Sequence, residues 1–463
     1  MSSLLSEKDL NDFISPGLAC VKPAEPIEKG EKQEGDLEVG KESNDMGKVS
    51  ISLQDCLACS GCITSSEEIL LSQQSHTVFL EAWKNLARDT ALVVSIPPQC
   101  RLSLAHYYDM SLESFDKSFL TLMKEKFGAR YIVGTQIGRN ITVNQTNKLL
   151  TERKSLSSSK KPALCAVCPG FVLYAEKTKP ELVPYLLDVK SPQQITGALL
   201  KKAIPNIYHL TIMPCFDKKL EASRKDGEGE VDCVITPREF ATMLQEQDLK
   251  LTDFLTSTDE TVLKQSCSPP GWDISVHWAS NEGSASGGYA YQYILHQKSL
   301  HPGSCISTIT GKNSDLKEFR LMDVSNENVI ASSSELYGFR NIQNMVRKLT
   351  SSGSASRNIK VLRKRATTSS NNGSSFGSAV DPSKTDFIEV MACPGGCING
   401  GGLLNGEANS SRRRALAKSL ELEYGKVIPK VSCSDHPRDD STYKYKFSAI
   451  EKSQDVLTVG NTW

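Results

Sequence analysis

The chain has 463 residues, with 54 basic and 54 acidic side chains and a formal net charge of zero. The length provides for about two to four domains or lobes, at roughly 100–200 residues each. The balanced charge gives no global attraction for a phosphate backbone, which argues against nucleic acid as a partner, and 14 cysteines are too sparse for a disulfide-stapled secreted scaffold.

Met1 to Leu10 carries charges where a signal peptide needs an apolar run, and no stretch reaches the roughly 18 apolar residues of a membrane span, so neither secretion nor membrane insertion is expected. Residues 21–49 are polar and charge-rich and read as a weakly ordered connection. Ala91 to Ile96, closed by Pro97-Pro98, has the pattern of a buried strand. A helix is expected from Ser111 to Phe127, with Ser111 as its cap, followed by a strand at Arg130 to Gly134. Ser157 to Lys161 reads as a surface loop. A helix over Lys190 to Ala203 and strands at His209 to Met213 and Val231 to Ile235 continue the alternation, and Thr236-Pro237 signals the next helix start. The stretch at about 351–385 is rich in Ser, Asn and Gly and reads as a mobile insertion, after which Phe387 to Met391 returns to strand character. Strands alternating with helices predict an α/β fold with a parallel sheet.

Two groups of cysteines carry chemistry. Cys56, Cys59 and Cys62 form a C-x2-C-x2-C run. Such a loop wraps three thiolates around one inorganic centre and leaves a fourth position for a ligand from elsewhere. Even spacing of three cysteines favours an iron–sulfur cluster over zinc, whose four-cysteine sites also use C-x2-C pairs. Cys20 is the upstream cysteine that can complete the set, although spacing does not fix it. Cys168, Cys215, Cys393 and Cys397 are far apart in sequence, but Cys215 and Cys393 closely follow expected strands. Loops beyond the carboxyl ends of strands form the binding crevice of open α/β sheets, so these thiols can meet there; read singly, each is equally a small core hydrophobe. Gly400 to Gly402 permits close backbone approach and positive φ angles, and lacks the Lys-Ser/Thr ending of a phosphate loop. Cys165 and Cys168 also form a C-x2-C pair, but Pro169-Gly170 argues against the directly following helix that a thioredoxin-like role requires.

The long-range set resembles the three cluster-binding signatures of iron-only hydrogenases: Thr-Ser-Cys-Cys-Pro-Gly-Trp, Met-Pro-Cys-x-x-Lys-x-x-Glu, and Glu-x-Met-Ala-Cys-x-x-Gly-Cys-x-x-Gly-Gly-Gly. The chain reads Cys165 to Phe171, Met213 to Glu221, and Glu389 to Gly402 at these places, with supporting stretches at Lys190 to Gln194, Asp232 to Glu239 and Ser286 to Gly288. The resemblance runs from about residue 90 to 405. One departure separates the chain from the enzymes. Hydrogenases have two adjacent cysteines in the first signature, the earlier of which relays protons to the di-iron centre. Here Cys168 is kept and Val167 precedes it. A valine side chain neither donates nor accepts a proton.

With the N-terminal cysteines, the chain looks like the eukaryotic hydrogenase-like factors of cytosolic iron–sulfur protein assembly. That resemblance implies a two-lobed hydrogenase-like domain over residues 86–463 and a small ferredoxin-like cluster-binding region over residues 1–85. It implies two 4Fe-4S clusters, one on Cys20, Cys56, Cys59 and Cys62, the other on Cys168, Cys215, Cys393 and Cys397. It also implies a non-enzymatic role: passing clusters from a P-loop NTPase scaffold complex to a targeting complex with a WD40 propeller, and so to cytosolic and nuclear apoproteins. The competing readings are a divergent hydrogenase, supported by Met213, Lys218, Glu221 and Met391, and a two-cluster electron carrier. The terminal Trp463 resembles a tail signal read by the targeting complex, without the usual preceding acidic residue. Cys100, Cys165, Cys233, Cys267, Cys305 and Cys433 are expected to be structural thiols.

Overall fold

The computed structural model describes residues 71, 73–156, 162–311, 313–325, 328–351, 380–404, 409–432 and 441–449. Cys20, Cys56, Cys59, Cys62, the loop 157–161, most of the expected insertion, Cys433 and Trp463 lie outside the described residues. In chain order the strands are β1 (Ala91–Ser95), β2 (Tyr131–Val133), β3 (Ala163–Leu164), β4 (Ile207–Ile212), β5 (Cys233–Ile235), β6 (Ser304–Thr310), β7 (Leu316–Asp323), β8 (Val329–Tyr337) and β9 (Phe387–Met391).

One sheet has the order β2-β1-β4-β5, every pairing parallel. β1 is central and its Val93 lies between Tyr131 and His209. A strand covered on both faces reads as a continuous apolar run, and Leu92, Val93 and Val94 are buried accordingly. On one face Val94, Leu210, Ile212 and Ile235 pack with Phe115, Phe119 and Phe240 from the helices Leu112–Glu125 and Pro237–Glu246. The other face carries Val93, Val133, Leu200 and Ile207. The helix His76–Lys84 adds Phe79 and Leu80 to the first of these cores, so residues before position 86 take part in it.

The expected starts are built as read. Ser111 Oγ accepts from the Ser114 amide at 3.1 Å to open its helix. Thr236 and Glu239 form a reciprocal capping box with Pro237 in the first turn. One reading is corrected. The helix Pro169–Thr178 runs straight on from Cys168, which is its N-cap. Proline is suited to the first helical position, where its missing N–H has no intrahelical partner to lose.

The second sheet has the order β3-β9-β8-β7-β6. Its β3, β9 and β8 are parallel, whereas β8, β7 and β6 form an antiparallel meander that the sequence reading lacked. The cause is composition: β8 buries Ser333, Ser334 and Glu335, and β6 is half-exposed and rich in Ser and Thr, so neither shows a clear apolar pattern. No described helix is long and apolar enough to cross a membrane.

Candidate metal centre

The carboxyl ends of β1, β3, β4 and β9 face a common cavity. β3 leads into Val167 and Cys168, β4 into Met213, Pro214 and Cys215, and β9 into Ala392, Cys393 and Cys397; all line the same cavity. The structure therefore brings together four cysteines that span more than two hundred residues of chain. Among the described residues no group of three or more His, Cys, Asp or Glu side chains is gathered for a single metal ion. The four thiols surround a space.

Glycines let the loops approach. A Cβ on Gly400 would stand 2.3 Å from the Pro214 carbonyl oxygen. Gly400 has φ −60°, so it supplies room and not the positive φ expected for that run. Positive φ falls earlier, at Gly396 (+84°), where a Cβ would also meet Ser286 Oγ at 2.2 Å. That serine accepts the Cys397 amide hydrogen at 2.9 Å, and the Gly402 amide donates to Pro214 O at 2.9 Å.

Burial holds the thiols of the cavity protonated. Burial pushes the Cys215 thiol well above its ordinary value, and Asp217, Cys393 and Cys168 push in the same direction, against Lys218. Burial and then Cys168 push Cys397 up to about 12. Cys168 is raised by burial, opposed by the amides of Ala392 and Phe171; the Ala392 N–H donates to its sulfur at 3.4 Å. Thiols that suppress one another's ionisation become thiolates together when a metal supplies the positive charge. Four such ligands around a space fit a polynuclear iron–sulfur group.

Two buried cations line the same cavity. Lys218 donates to Glu221 Oε2 at 2.7 Å and to the Val167 carbonyl at 3.2 Å. Burial works against its charge, and Glu221, Cys215 and Cys397 outweigh it, holding the ammonium above its ordinary value. Glu221 also accepts from Ser191 Oγ at 2.9 Å, and Gln193 Nε2 donates to Lys218 O at 3.1 Å. The stretch from Lys190 to Gln194 is thus a brace for the helix carrying Lys218.

The second cation, Arg139, was not singled out by sequence reasoning. It lies in the helix Gln136–Leu156, whose mean hydropathy and patterning did not announce a helix, and a lone arginine carries no motif. Its Nη1 donates to Ser280 Oγ at 3.0 Å, Tyr424 OH at 3.1 Å and Asn281 Oδ1 at 3.5 Å.

Cys165 does not line the cavity but is buried behind its wall, in one cluster with Tyr289, Phe387 and Met391. Burial raises its thiol strongly, with Glu389 adding to the effect. A disulfide-exchanging pair needs a low-pKa, accessible thiol, so the Cys165–Cys168 pair lacks that character even though a helix does follow it.

Residues 90–401 match the family described as iron only hydrogenase large subunit, C-terminal domain. The chain is 58% identical to the cytosolic Fe-S cluster assembly factor NAR1 of Kluyveromyces lactis, and the match covers 100% of both chains. It is 50% identical to the protein of the same name from Saccharomyces cerevisiae, again over 100% of both. Among solved structures it resembles an FeFe-hydrogenase studied for oxygen inactivation, with a TM-score of 0.55, 18% identity, and coverage of 77% of this chain and 91% of that one. The apo form of HydA1 from Chlamydomonas reinhardtii gives a TM-score of 0.53 at 18% identity, with the same coverage. These structures establish the fold. The relatives matched over their whole length show that the chain belongs to the cytosolic Fe-S cluster assembly factor NAR1 family, and the family match over residues 90–401 places it on the iron-only hydrogenase domain.

Proposed function

We propose that the chain holds a 4Fe-4S cluster on Cys168, Cys215, Cys393 and Cys397, and a second on Cys20, Cys56, Cys59 and Cys62. It uses them to help pass clusters from a P-loop NTPase scaffold complex to a targeting complex containing a WD40 propeller. The recipients are cytosolic and nuclear apoproteins, and the protein works in the cytoplasm and also in the nucleus. The observation that carries this reading is the convergence of four thiols on one cavity, in a chain whose full-length relatives are named cytosolic Fe-S cluster assembly factors.

A cubane bound in the cavity would supply one-electron redox chemistry. The protein's own residues do the rest. Ligands from the ends of β3, β4 and β9 couple the site to folding, which suits a buried, slowly exchanging cluster. Lys218 places positive charge beside the thiolates, and the Ala392 amide supports the sulfur of Cys168. Val167 offers the cavity a side chain without an exchangeable proton, which favours assembly over hydrogen chemistry. The N-terminal set contains a remote thiolate at Cys20, and loss of that ligand would expose one iron, as a transferable cluster requires.

Iron content and infrared spectra test the reading. About eight irons, four per cubane, without CO or CN bands are expected; extra iron with those bands would turn it toward a hydrogenase. Alanine at Cys59 or Cys393 should lower the activity of cytosolic iron–sulfur enzymes in cells. Unchanged activity with the clusters lost would point instead to an electron carrier. Equal loss of both clusters to a chelator would contradict the division of labour between them.

A further inference from the structure

Among the described residues, the buried lysines and arginines other than Arg139 have carboxylate partners. Arg101 pairs with Asp116, Lys190 with Glu230 at 2.5 Å, Lys218 with Glu221 at 2.7 Å, and Lys219 with Glu239 at 2.6 Å. Arg139 is the exception. It is 3% exposed, and among the described residues its hydrogen-bond acceptors are a serine, an amide oxygen and a tyrosine, all neutral. Those bonds use Nη1; Nε is buried without a partner among the described residues. An unpaired buried charge is costly, so such a residue persists where something anionic completes it. Arg139 lines the cavity of the four thiols, and Cys397 lies close enough for a thiolate there to favour the guanidinium. A cubane held by four thiolates carries net negative charge, and nearby positive charge is one of the levers on its potential.

We propose that Arg139 is the counter-charge of the iron–sulfur group in this cavity and a positioning residue that raises its reduction potential and slows its loss. The inference rests on the cluster assignment above. Reduction adds an electron to an already anionic group, so a fixed cation beside it stabilises the reduced form most. Lys218 is partly neutralised by Glu221, which leaves Arg139 as the uncompensated positive charge lining the cavity among the described residues.

The test uses the full-length chain loaded anaerobically with iron and sulfide, titrated with dithionite and followed by electron paramagnetic resonance. Cys393→Ala first identifies the signal of the cavity; if it removes no signal, the cluster assignment fails, and the inference with it. In Arg139→Gln that signal should move to a more negative potential while the other stays in place. Release to a chelator should be about 10-fold faster or more, the usual cost of losing an outer partner of a metal site. Arg139→Lys should restore the potential. A loaded Arg139→Gln protein with unchanged potential and release rate would overturn the inference while leaving the cluster assignment standing. Should Arg139→Gln not load, Arg139→Lys decides: loading at the parent potential supports the counter-charge, and failure to load means a purely hydrogen-bonding role and overturns it.

Discussion

Lys218 Nζ donates to the carbonyl oxygen of Val167 at 3.2 Å and to Glu221 at 2.7 Å, so one ammonium ties the loop before Cys168 to the helix after Cys215. At Val167 the main chain also takes part in the site, through its carbonyl oxygen. Lys218→Gln should leave Glu221 buried with Ser191 as its remaining side-chain partner among the described residues. Breaking one side of a buried ion pair costs about 3–5 kcal/mol. The double variant Lys218→Gln, Glu221→Gln should recover most of that loss. Chemical denaturation of the three proteins checks the order, and a double variant no better than the single would show that the pairing is not what holds the loops.

Gly400→Ala probes the contact between the loops that carry Cys215 and Cys397. The new Cβ would sit 2.3 Å from the Pro214 carbonyl oxygen, a backbone atom that cannot swing aside. Since Pro214 precedes Cys215, relief of the clash separates Cys215 from Cys397. Overpacking of this kind costs about 1–3 kcal/mol, and iron content should fall along with stability. Normal iron loading at parent stability would mean that the loops need not approach so closely.

The cysteine-bearing loops were legible because strand ends and signature residues coincide there: the strand Phe387–Met391 and the Thr236 capping box fall where the sequence places them, and the four thiols line one cavity. The antiparallel half of the second sheet was not legible, because Ser333, Ser334 and Glu335 are buried polar residues whose role depends on partners distant in sequence. Arg139 stayed hidden for a related reason. A guanidinium looks the same in sequence whether it faces water or a cavity, and only the fold reveals that no carboxylate among the described residues meets it. At Pro169 a local rule was applied at the wrong position, since proline breaks a helix interior but opens its first turn.

Cys165 separates ligand from bystander. It lies three residues before Cys168, yet its amide donates to Ile388 O at 2.9 Å and its side chain belongs to the buried cluster of Tyr289, Phe387 and Met391. Cys165→Ser should retain full iron content while burying a hydroxyl, at a cost of about 1–3 kcal/mol if no partner is found. Iron quantification beside a thermal melt distinguishes the two effects, and a loss of about four irons would make Cys165 a ligand after all.

Glu389 gives the fold a pH dependence with a definite sign. Burial first, and then the neighbouring Glu335, push its carboxyl from 4.5 up to about 8. The Ala290 amide at 2.9 Å and Tyr337 OH at 3.2 Å oppose the shift without cancelling it. Between the ordinary value and the raised one, the folded chain binds more protons than the unfolded chain. Stability therefore falls as pH rises from about 5 to about 8, by at most about 1.4 kcal/mol per pH unit for one proton. Glu389→Gln mimics the protonated acid and also relieves Glu335 of a like charge, so it should flatten that part of the profile and raise stability at the alkaline end. Urea denaturation of both proteins at several pH values measures it. A parallel decline in the variant would assign the slope to other groups.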